Sequence, residues 1–342
     1  MSRLRITQIV PESAFLRDAA RSGGVSQEMV CVDGRGMASG QKAQGTIRMR
    51  MSTGHCTIIT AIAAFFLITT ASGQAAERLP PYKDDLFSIQ NVLETSDGGS
   101  LDVIEYDEMR DINGRDQIPE KRAQQKYVSL GIRKQQSDET LQLGDQRLDV
   151  TRVGPNSGAA FTVIFIHGRN GDRRLGANDY SFGGNFNRLK NLVAGNGGVY
   201  YSPSVKSFDS TGVAAMAGLI RYASEQSSGK PVILACASMG SQVCWGVSRD
   251  VDSVKRLQGM VILSGVTDPE FAKSPFFKAK LPLWFAHGSR DPVYAASDQQ
   301  ALFEKLLKAD YPTHFTLYQT GNHGTPIRMI DWRRTLNWML RS

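Results

Sequence analysis

The sequence lacks a long run of apolar residues and a strong excess of one charge. Its longest apolar run covers residues 57–71, which is short for a transmembrane helix, since such a helix usually needs about 20 apolar residues. Of its 40 basic and 33 acidic residues, 32 and 29 lie beyond residue 76. No basic block or aromatic-interleaved stripe occurs there, so we expect no nucleic-acid partner.

Motifs for metals and nucleotide cofactors are also missing. The five histidines form neither an H-E-x-x-H pattern nor a cluster with cysteines and carboxylates, so we predict no metal site. No G-x-G-x-x-G or Walker-type loop is present, and we predict no cofactor. Residues 111–116 are similar to a calcium-binding loop, but the glycine comes too early and no glutamate closes the loop, which excludes that site.

Cysteine is rare. Of the four cysteines, only Cys236 and Cys244 follow the apolar run. An oxidising compartment would permit a disulfide between them, but we interpret both as small buried apolar side chains. Cys236 is not predicted to be a nucleophile, because it should still lie within a strand.

The apolar run has the flanks of a secretory signal peptide. Arg48 and Arg50 precede it, and small residues follow it, as at a signal-peptide cleavage site. We therefore predict a signal peptide at residues 49–76 and an exported protein, periplasmic or secreted, with no stable membrane anchor after cleavage. Cys56 precedes the run, so it does not predict a lipid anchor.

Residues 1–48 precede this signal and are polar, glycine-rich and without sustained periodicity. We predict that translation begins at Met37, Met49 or Met51 and that the upstream segment is not native. A disordered leader is the alternative.

Residues 77–126 are predicted to form an irregular N-terminal extension. Turn signals such as Pro80-Pro81 recur through it, and we expect only short strands, at residues 92–93 and 101–106. No function is predicted for this segment.

From residue 127 to residue 342, predicted strands and helices alternate, which indicates one α/β domain with a doubly wound, mostly parallel sheet flanked by helices. Few residues separate the apolar runs near 263 and 282, which leaves no room for a sizeable cap domain. In such sheets, ligands bind beyond the carboxyl ends of the strands. The predicted strands are residues 127–132, 148–153, 161–166, 198–202, 232–235, 260–263, 283–286 and 315–318, and the predicted helices include 186–193, 212–223 and a last one over 329–339.

One strand end carries a serine in a tight turn. The sequence C-A-S-M-G at residues 236–240 follows an apolar run and leads into a predicted helix, with Ser238 at its centre. Such a turn lifts the hydroxyl clear of the sheet and directs the following amide groups to one point, which suits an acyl-transfer nucleophile. The alternative is a serine that caps a helix.

This turn resembles the nucleophile elbow, G-x-S-x-G, of the α/β-hydrolase family, with cysteine in place of the first glycine. A second motif, His167-Gly168-Arg169, follows a buried strand and is similar to the H-G-x of that family. The resemblance implies that Ser238 is the nucleophile and that the amides of Arg169 and Met239 form the oxyanion hole. It also implies that His167 and Gly168 contact the substrate.

Two further motifs resemble those of the same family. The sequence H-G-S-R-D at residues 287–291 is similar to its G-x-x-D motif, which implies that Asp291 orients the catalytic histidine. Asp268, after the preceding strand, is the alternative acid. His323 follows the last strand, and the resemblance implies that it is the general base. The order Ser238, Asp291, His323 is also that of the family.

The other histidines beyond the signal peptide are not predicted to be catalytic. His314 begins the last strand, at the opposite end of the sheet from the serine, so we expect it on the surface or in the core. His167 and His287 end strands and are flanked by glycine, and we interpret both as structural or pocket-lining.

The resemblance implies an exported serine hydrolase that cleaves an ester, thioester or related acyl bond of a small molecule through an acyl-enzyme. Two alternatives remain open: a peptidase or amidase with the same triad, and a non-catalytic binding protein on this fold. The loop that begins with His167-Gly168-Arg169 is here called the oxyanion loop. Three arginines in and after it are either solvated or favour a substrate that carries carboxylate or phosphate. These arginines are Arg169, Arg173 and Arg174. The sequence does not predict the oligomeric state.

Overall fold

A computed structural model describes residues 79–341 of the chain. The predicted leader and signal peptide, residues 1–48 and 49–76, lie outside the described residues. Within residues 79–341, no helix combines the length and the apolar character that crossing a bilayer requires.

A mixed sheet forms the centre of the described residues. Its seven middle strands are parallel, and its outer strands are antiparallel to their neighbours. This confirms the predicted doubly wound, mostly parallel sheet. The strands are β1 Val92–Ser96, β2 Leu101–Glu105, β3 Asp116–Gln117, β4 Arg122–Ala123, β5 Gln136–Leu143, β6 Gln146–Val153, β7 Thr162–Ile166, β8 Val199–Pro203, β9 Val232–Ala237, β10 Leu257–Leu263, β11 Leu283–Gly288 and β12 Thr313–Gln319. The sheet order is β1-β2-β12-β11-β10-β9-β7-β8-β6-β5, and β3 and β4 pair separately.

Helices cover both faces of this sheet. The last predicted helix is divided in two at Asp331, whose side chain accepts hydrogen bonds from the amides of Arg333 and Arg334 and so begins a new helix. The α-helices are α1 Asp84–Phe87, α2 Arg173–Ala177, α3 Asn185–Gly195, α4 Ser210–Gln226, α5 Gly240–Val247, α6 Val251–Val254, α7 Pro275–Lys278, α8 Ala296–Lys308, α9 Thr325–Met329 and α10 Trp332–Arg341. Short 3-10 or π turns occupy Asp97–Gly99, Met109–Asn113, Gln125–Tyr127, Leu130–Gln135, Phe182–Gly184 and Phe271–Lys273.

Two apolar cores lie on opposite faces of the sheet, and the central strands contribute to both. In β7, Ile164 and Ile166 face one core, whereas Val163 and Phe165 face the other. All four side chains are fully buried. A strand that is buried on both faces must be apolar along its whole length, which explains why the central strands are apolar without interruption.

The structure differs from the sequence-based prediction at both edges of the sheet. Residues 127–132 do not form a strand. Tyr127 and Val128 pack in a small cluster with Phe87 and Ala123, and Ile132 packs into one of the two main cores from the 3-10 turn Leu130–Gln135. The strand beside β6 is instead the polar segment β5. At the other edge, the short strands predicted at residues 92–93 and 101–106 are confirmed as β1 and β2, but they extend the central sheet, because β2 pairs in parallel with β12.

Candidate active site

The strand-to-helix turn between β9 and α5 holds Ser238 in a strained conformation. Its φ is 52°, in the left-handed region that non-glycine residues rarely adopt. The amide of Ser238 donates to the carbonyl of Leu263 over 2.9 Å, which ties the turn to β10. A Cβ atom at Gly240 would lie 2.6 Å from the carbonyl oxygen of His167, so glycine is needed where the turn contacts the loop after β7.

The structure brings together the three residues predicted as a triad. Nε2 of His323 lies 2.9 Å from Oγ of Ser238, and Nδ1 of His323 lies 2.7 Å from Oδ2 of Asp291. These residues follow β9, β11 and β12, whose carboxyl ends lie at the same edge of the sheet. The arrangement lets the imidazole accept a proton from the hydroxyl while its other nitrogen donates to the carboxylate.

The carboxylate of Asp291 is fully buried and held in one orientation. Its Oδ1 accepts hydrogen bonds from the amides of Val293 and Tyr294, at 2.8 and 3.2 Å. Burial alone would raise the pKa of Asp291, but the hydrogen bonds from His323 and from these two amides outweigh it, so the pKa lies below its ordinary value. Asp291 therefore stays ionised at neutral pH.

The loop after β7 lies directly against the serine. A Cβ atom at Gly168 would lie 2.7 Å from Cβ and 3.2 Å from Oγ of Ser238. Within residues 79–341, the amides of Arg169 and Met239 have no protein acceptor. Both amides are therefore able to donate to an oxygen atom that sits beside Oγ, as an oxyanion hole requires.

Comparison with known proteins identifies the fold. No protein-family model and no curated protein sequence matches this chain. A thermostable esterase of known structure is 16% identical with a TM-score of 0.50, and the match covers 61% of this chain and 64% of that one. The described chain has the α/β-hydrolase fold.

Two further solved structures are less similar. An esterase from Pyrococcus furiosus is 16% identical with a TM-score of 0.44, over 60% of this chain and 91% of that one. An α/β serine hydrolase homologue from Coxiella burnetii is 16% identical with a TM-score of 0.44, over 59% of this chain and 95% of that one. The match spans less than two thirds of the length of the thermostable esterase. At these identities the likeness concerns the fold alone.

On this hydrolase fold, His167 has a structural role, which is one of the roles expected of it from the sequence. Its side chain is buried, with 1% of the residue exposed. Nδ1 donates to the carbonyl of Gly168 over 2.7 Å, and Nε2 accepts from the amide of Val205 over 2.9 Å. Burial lowers the pKa of His167, which keeps the ring neutral as these two bonds require. His167 therefore fixes the oxyanion loop to the segment after β8, while Gly168 lies at the serine.

Asp268, the alternative acid, and His314 lie apart from the triad. Asp268 is buried and pairs with Arg249 at 2.5 Å. His314, at the start of β12, stacks on Trp284 and makes an edge-on contact with Trp338. Burial and the nearby charge of Arg334 lower the pKa of His314 to about 4. Neither side chain contacts Ser238 or His323 in the described structure.

Two of the three arginines after β7 are already paired. Arg173 contacts Asp138 at 3.4 Å, and Arg174 contacts Asp172 at 2.5 Å. Arg169 is exposed, and within residues 79–341 its guanidinium makes no ion pair. Of this group, only Arg169 has a charge free to meet a ligand at the oxyanion loop.

A disulfide joins Cys236 and Cys244, with Cα atoms 6.4 Å apart. The prediction of two independent apolar side chains was therefore wrong, although both sulfur-bearing side chains are fully buried, with 0% exposed. The bond ties β9 to α5 across the turn that holds Ser238. A separation of eight residues corresponds to about 2.5 kcal/mol in the chain-entropy treatment of loop closure. The sequence did not predict this pairing, because the spacing of two cysteines along the chain does not show whether the strand and the helix that carry them face each other.

Proposed function

We propose that this protein is a serine hydrolase that cleaves an ester, thioester or related acyl bond of a small molecule. The observation that carries the proposal is the hydrogen-bonded series Ser238–His323–Asp291, with 2.9 and 2.7 Å between the partners. A helix-capping serine would need neither a histidine at its hydroxyl nor a buried carboxylate behind that histidine.

The proposed mechanism follows from these contacts. Oγ of Ser238 attacks the acyl carbon while Nε2 of His323 takes its proton, and Asp291 stabilises the imidazolium that forms. The amides of Arg169 and Met239 donate to the developing oxyanion. His323 then protonates the leaving group, and water, activated by the same histidine, releases the acyl group from Ser238.

The substrate site is expected to be open to solvent. The segment between β10 and β11 contains only the turn Phe271–Lys273 and the short helix α7, which is too little for a cap domain. The exposed guanidinium of Arg169 supports a preference for acyl substrates that carry a negative charge.

Labelling with a fluorophosphonate probe tests the proposal. We expect the wild-type protein to be phosphonylated on Ser238 and Ser238→Ala to remain unlabelled. Ser248→Ala is a matched control, because Ser248 is buried just after α5 and its hydroxyl donates to the carbonyl of Trp245, and it should be labelled like the wild type. Absence of labelling in folded wild-type protein would contradict the proposal and favour a binding protein. Matched esters and amides then separate an esterase from an amidase.

Export is part of the same proposal. The disulfide between Cys236 and Cys244 supports it, because disulfides persist in oxidising compartments. We expect mass spectrometry of the exported protein to find a chain that begins after Ala76 and a peptide cross-linked through these cysteines. A mature chain that retains Ser2, or two cysteines that alkylate without reduction, would contradict this part.

A further inference from the structure

A second histidine contacts the carboxylate of the proposed triad. The side chain of His287, at the end of β11, is fully buried, and both of its ring nitrogens face oxygen atoms. Nδ1 lies 2.8 Å from Oε1 of Gln299. Nε2 lies 3.0 Å from the carbonyl oxygen of Tyr294 and 3.1 Å from Oδ2 of Asp291. His287 is therefore surrounded by acceptors.

A neutral imidazole does not suit this environment. It has one N–H donor and one lone pair, whereas an imidazolium has two donors. If Nδ1 of His287 carried the only proton, the lone pair of Nε2 would face the oxygens of Tyr294 and Asp291. If Nε2 carried it, the lone pair of Nδ1 would face Gln299. Each neutral form leaves one buried repulsive contact.

The amide of Gln299 does not relieve this conflict by exchanging its nitrogen and oxygen. Its Nε2 donates to the carbonyl of Gly265 over 2.8 Å. The exchanged orientation would place Oε1 against that carbonyl oxygen, so one repulsive contact would replace another. Gly265 therefore fixes Gln299 with its oxygen towards His287.

The charge of an imidazolium at this position has a counter-ion. A buried cation requires one, and Oδ2 of Asp291 lies 3.1 Å from Nε2 of His287. The same Oδ2 lies 2.7 Å from Nδ1 of His323. One carboxylate oxygen thus lies between two histidines: it accepts a hydrogen bond from His323, which is partly exposed at the serine, and it is the counter-ion of His287, which is fully buried behind the acid.

We propose that His287 is a buried imidazolium that forms an ion pair with Asp291 and acts as a positioning residue for the catalytic pair. Its effect on catalysis rests on the proposed function, since it acts through Asp291 on His323. The hydrogen bond from His323 and the ion pair with His287 at Oδ2, together with two amides at Oδ1, leave the carboxylate a single orientation. His287 contacts neither Ser238 nor the space beside it.

A cation behind Asp291 also acts on His323, the proposed base, through its charge. The groups that face His287 are Asp291, the carbonyl of Tyr294, the amide of Gln299 and, beyond Asp291, His323. Of these, Asp291 and His323 are the groups that change charge. A positive charge at His287 opposes a second positive charge at His323, so loss of the charge at His287 is expected to change the pH dependence of the reaction at Ser238.

Nitrogen-15 NMR on histidine-labelled wild-type protein tests the charge directly and does not depend on activity. We expect both ring nitrogens of His287 to be protonated at pH 7, with the resonances assigned by their loss in His287→Gln. A spectrum with one protonated and one bare nitrogen at His287 would overturn the proposal.

The pH dependence of fluorophosphonate labelling tests the catalytic consequence. In His287→Gln, which retains a neutral N–H donor, we expect the acid limb of the labelling rate to move up by about one pH unit. His314→Gln removes a half-buried histidine at the opposite end of β12 from the triad and should leave the limb in place. A folded His287→Gln protein with an unmoved acid limb would refute the positioning role, even if its rate fell at every pH. Failure of the wild type to label would instead reject the hydrolase proposal and leave the NMR result valid.

Discussion

Replacement of Asp291 with asparagine is expected to lower kcat/KM for an activated acyl ester by about four orders of magnitude. The reason lies in how the side chain is held. Two amides, those of Val293 and Tyr294, donate to Oδ1, so the amide oxygen of an asparagine would take this position. Its NH2 group would then face Nδ1 of His323. That nitrogen would have to accept, which moves the proton to Nε2 and leaves no base at Ser238.

Asp268→Asn is the matched control for this experiment. Asp268 is also a buried carboxylate near the carboxyl end of a strand, but its partner is Arg249 rather than a histidine. We expect Asp268→Asn to be less stable and to keep its kcat/KM within a few-fold of the wild type. If Asp268→Asn lost activity and Asp291→Asn kept it, the assignment of the acid would be reversed.

Gly288→Ala is expected to lower kcat/KM by about a hundredfold, because a displacement of about 1 Å at a reacting group costs this much. Gly288 ends β11, and a Cβ atom there would collide with the carbonyl oxygens of Gly321 and Asn322. Those residues immediately precede His323. The added methyl group would therefore push the base away from Ser238.

The loops of the acid and the base are joined near this glycine. The amide of Ser289 donates to the carbonyl of Tyr318 at 2.9 Å, and that of Arg290 donates to the carbonyl of Gly321 at 2.8 Å.

Gly131→Ala is the control, because a Cβ atom there meets nothing within 4 Å, and it should leave both kcat/KM and the melting temperature close to those of the wild type. A Gly288→Ala protein with wild-type kcat/KM would mean that the His323 loop is not held by this contact. Circular dichroism separates a displaced base from an unfolded chain.

The predictions made from the sequence succeeded where a signal is local. The strands β7, β9, β10 and β11 were recognised because apolar runs within them are buried on both faces of the sheet. The predictions failed for β5, whose residues are half exposed and polar. They also failed at residues 127–132, whose apolar side chains are buried although the backbone forms turns and not a strand.

The histidines illustrate the same limit within the site. His323 was singled out because it follows the last strand of a recognisable order, and the structure places it between Ser238 and Asp291. The donor and acceptor partners of His167 and His287 had no local signature. Val205 and Gln299 lie far along the chain from His167 and His287. The carbonyl of Tyr294 lies in a loop whose path the sequence does not predict.

The sequence by itself determined the class of sheet and the order in which a serine, an acid and a histidine follow its strands. A buried strand can be recognised from its apolar run. The residue at the end of a strand can be recognised from the small residues of the tight turn that follows. Only the tertiary structure decided that Cys236 bonds to Cys244, that β1 and β2 complete the sheet, and that His287 shares the carboxylate of Asp291 with His323. These features depend on distances of a few ångströms between separate elements, and such distances are set by the packing of the whole domain.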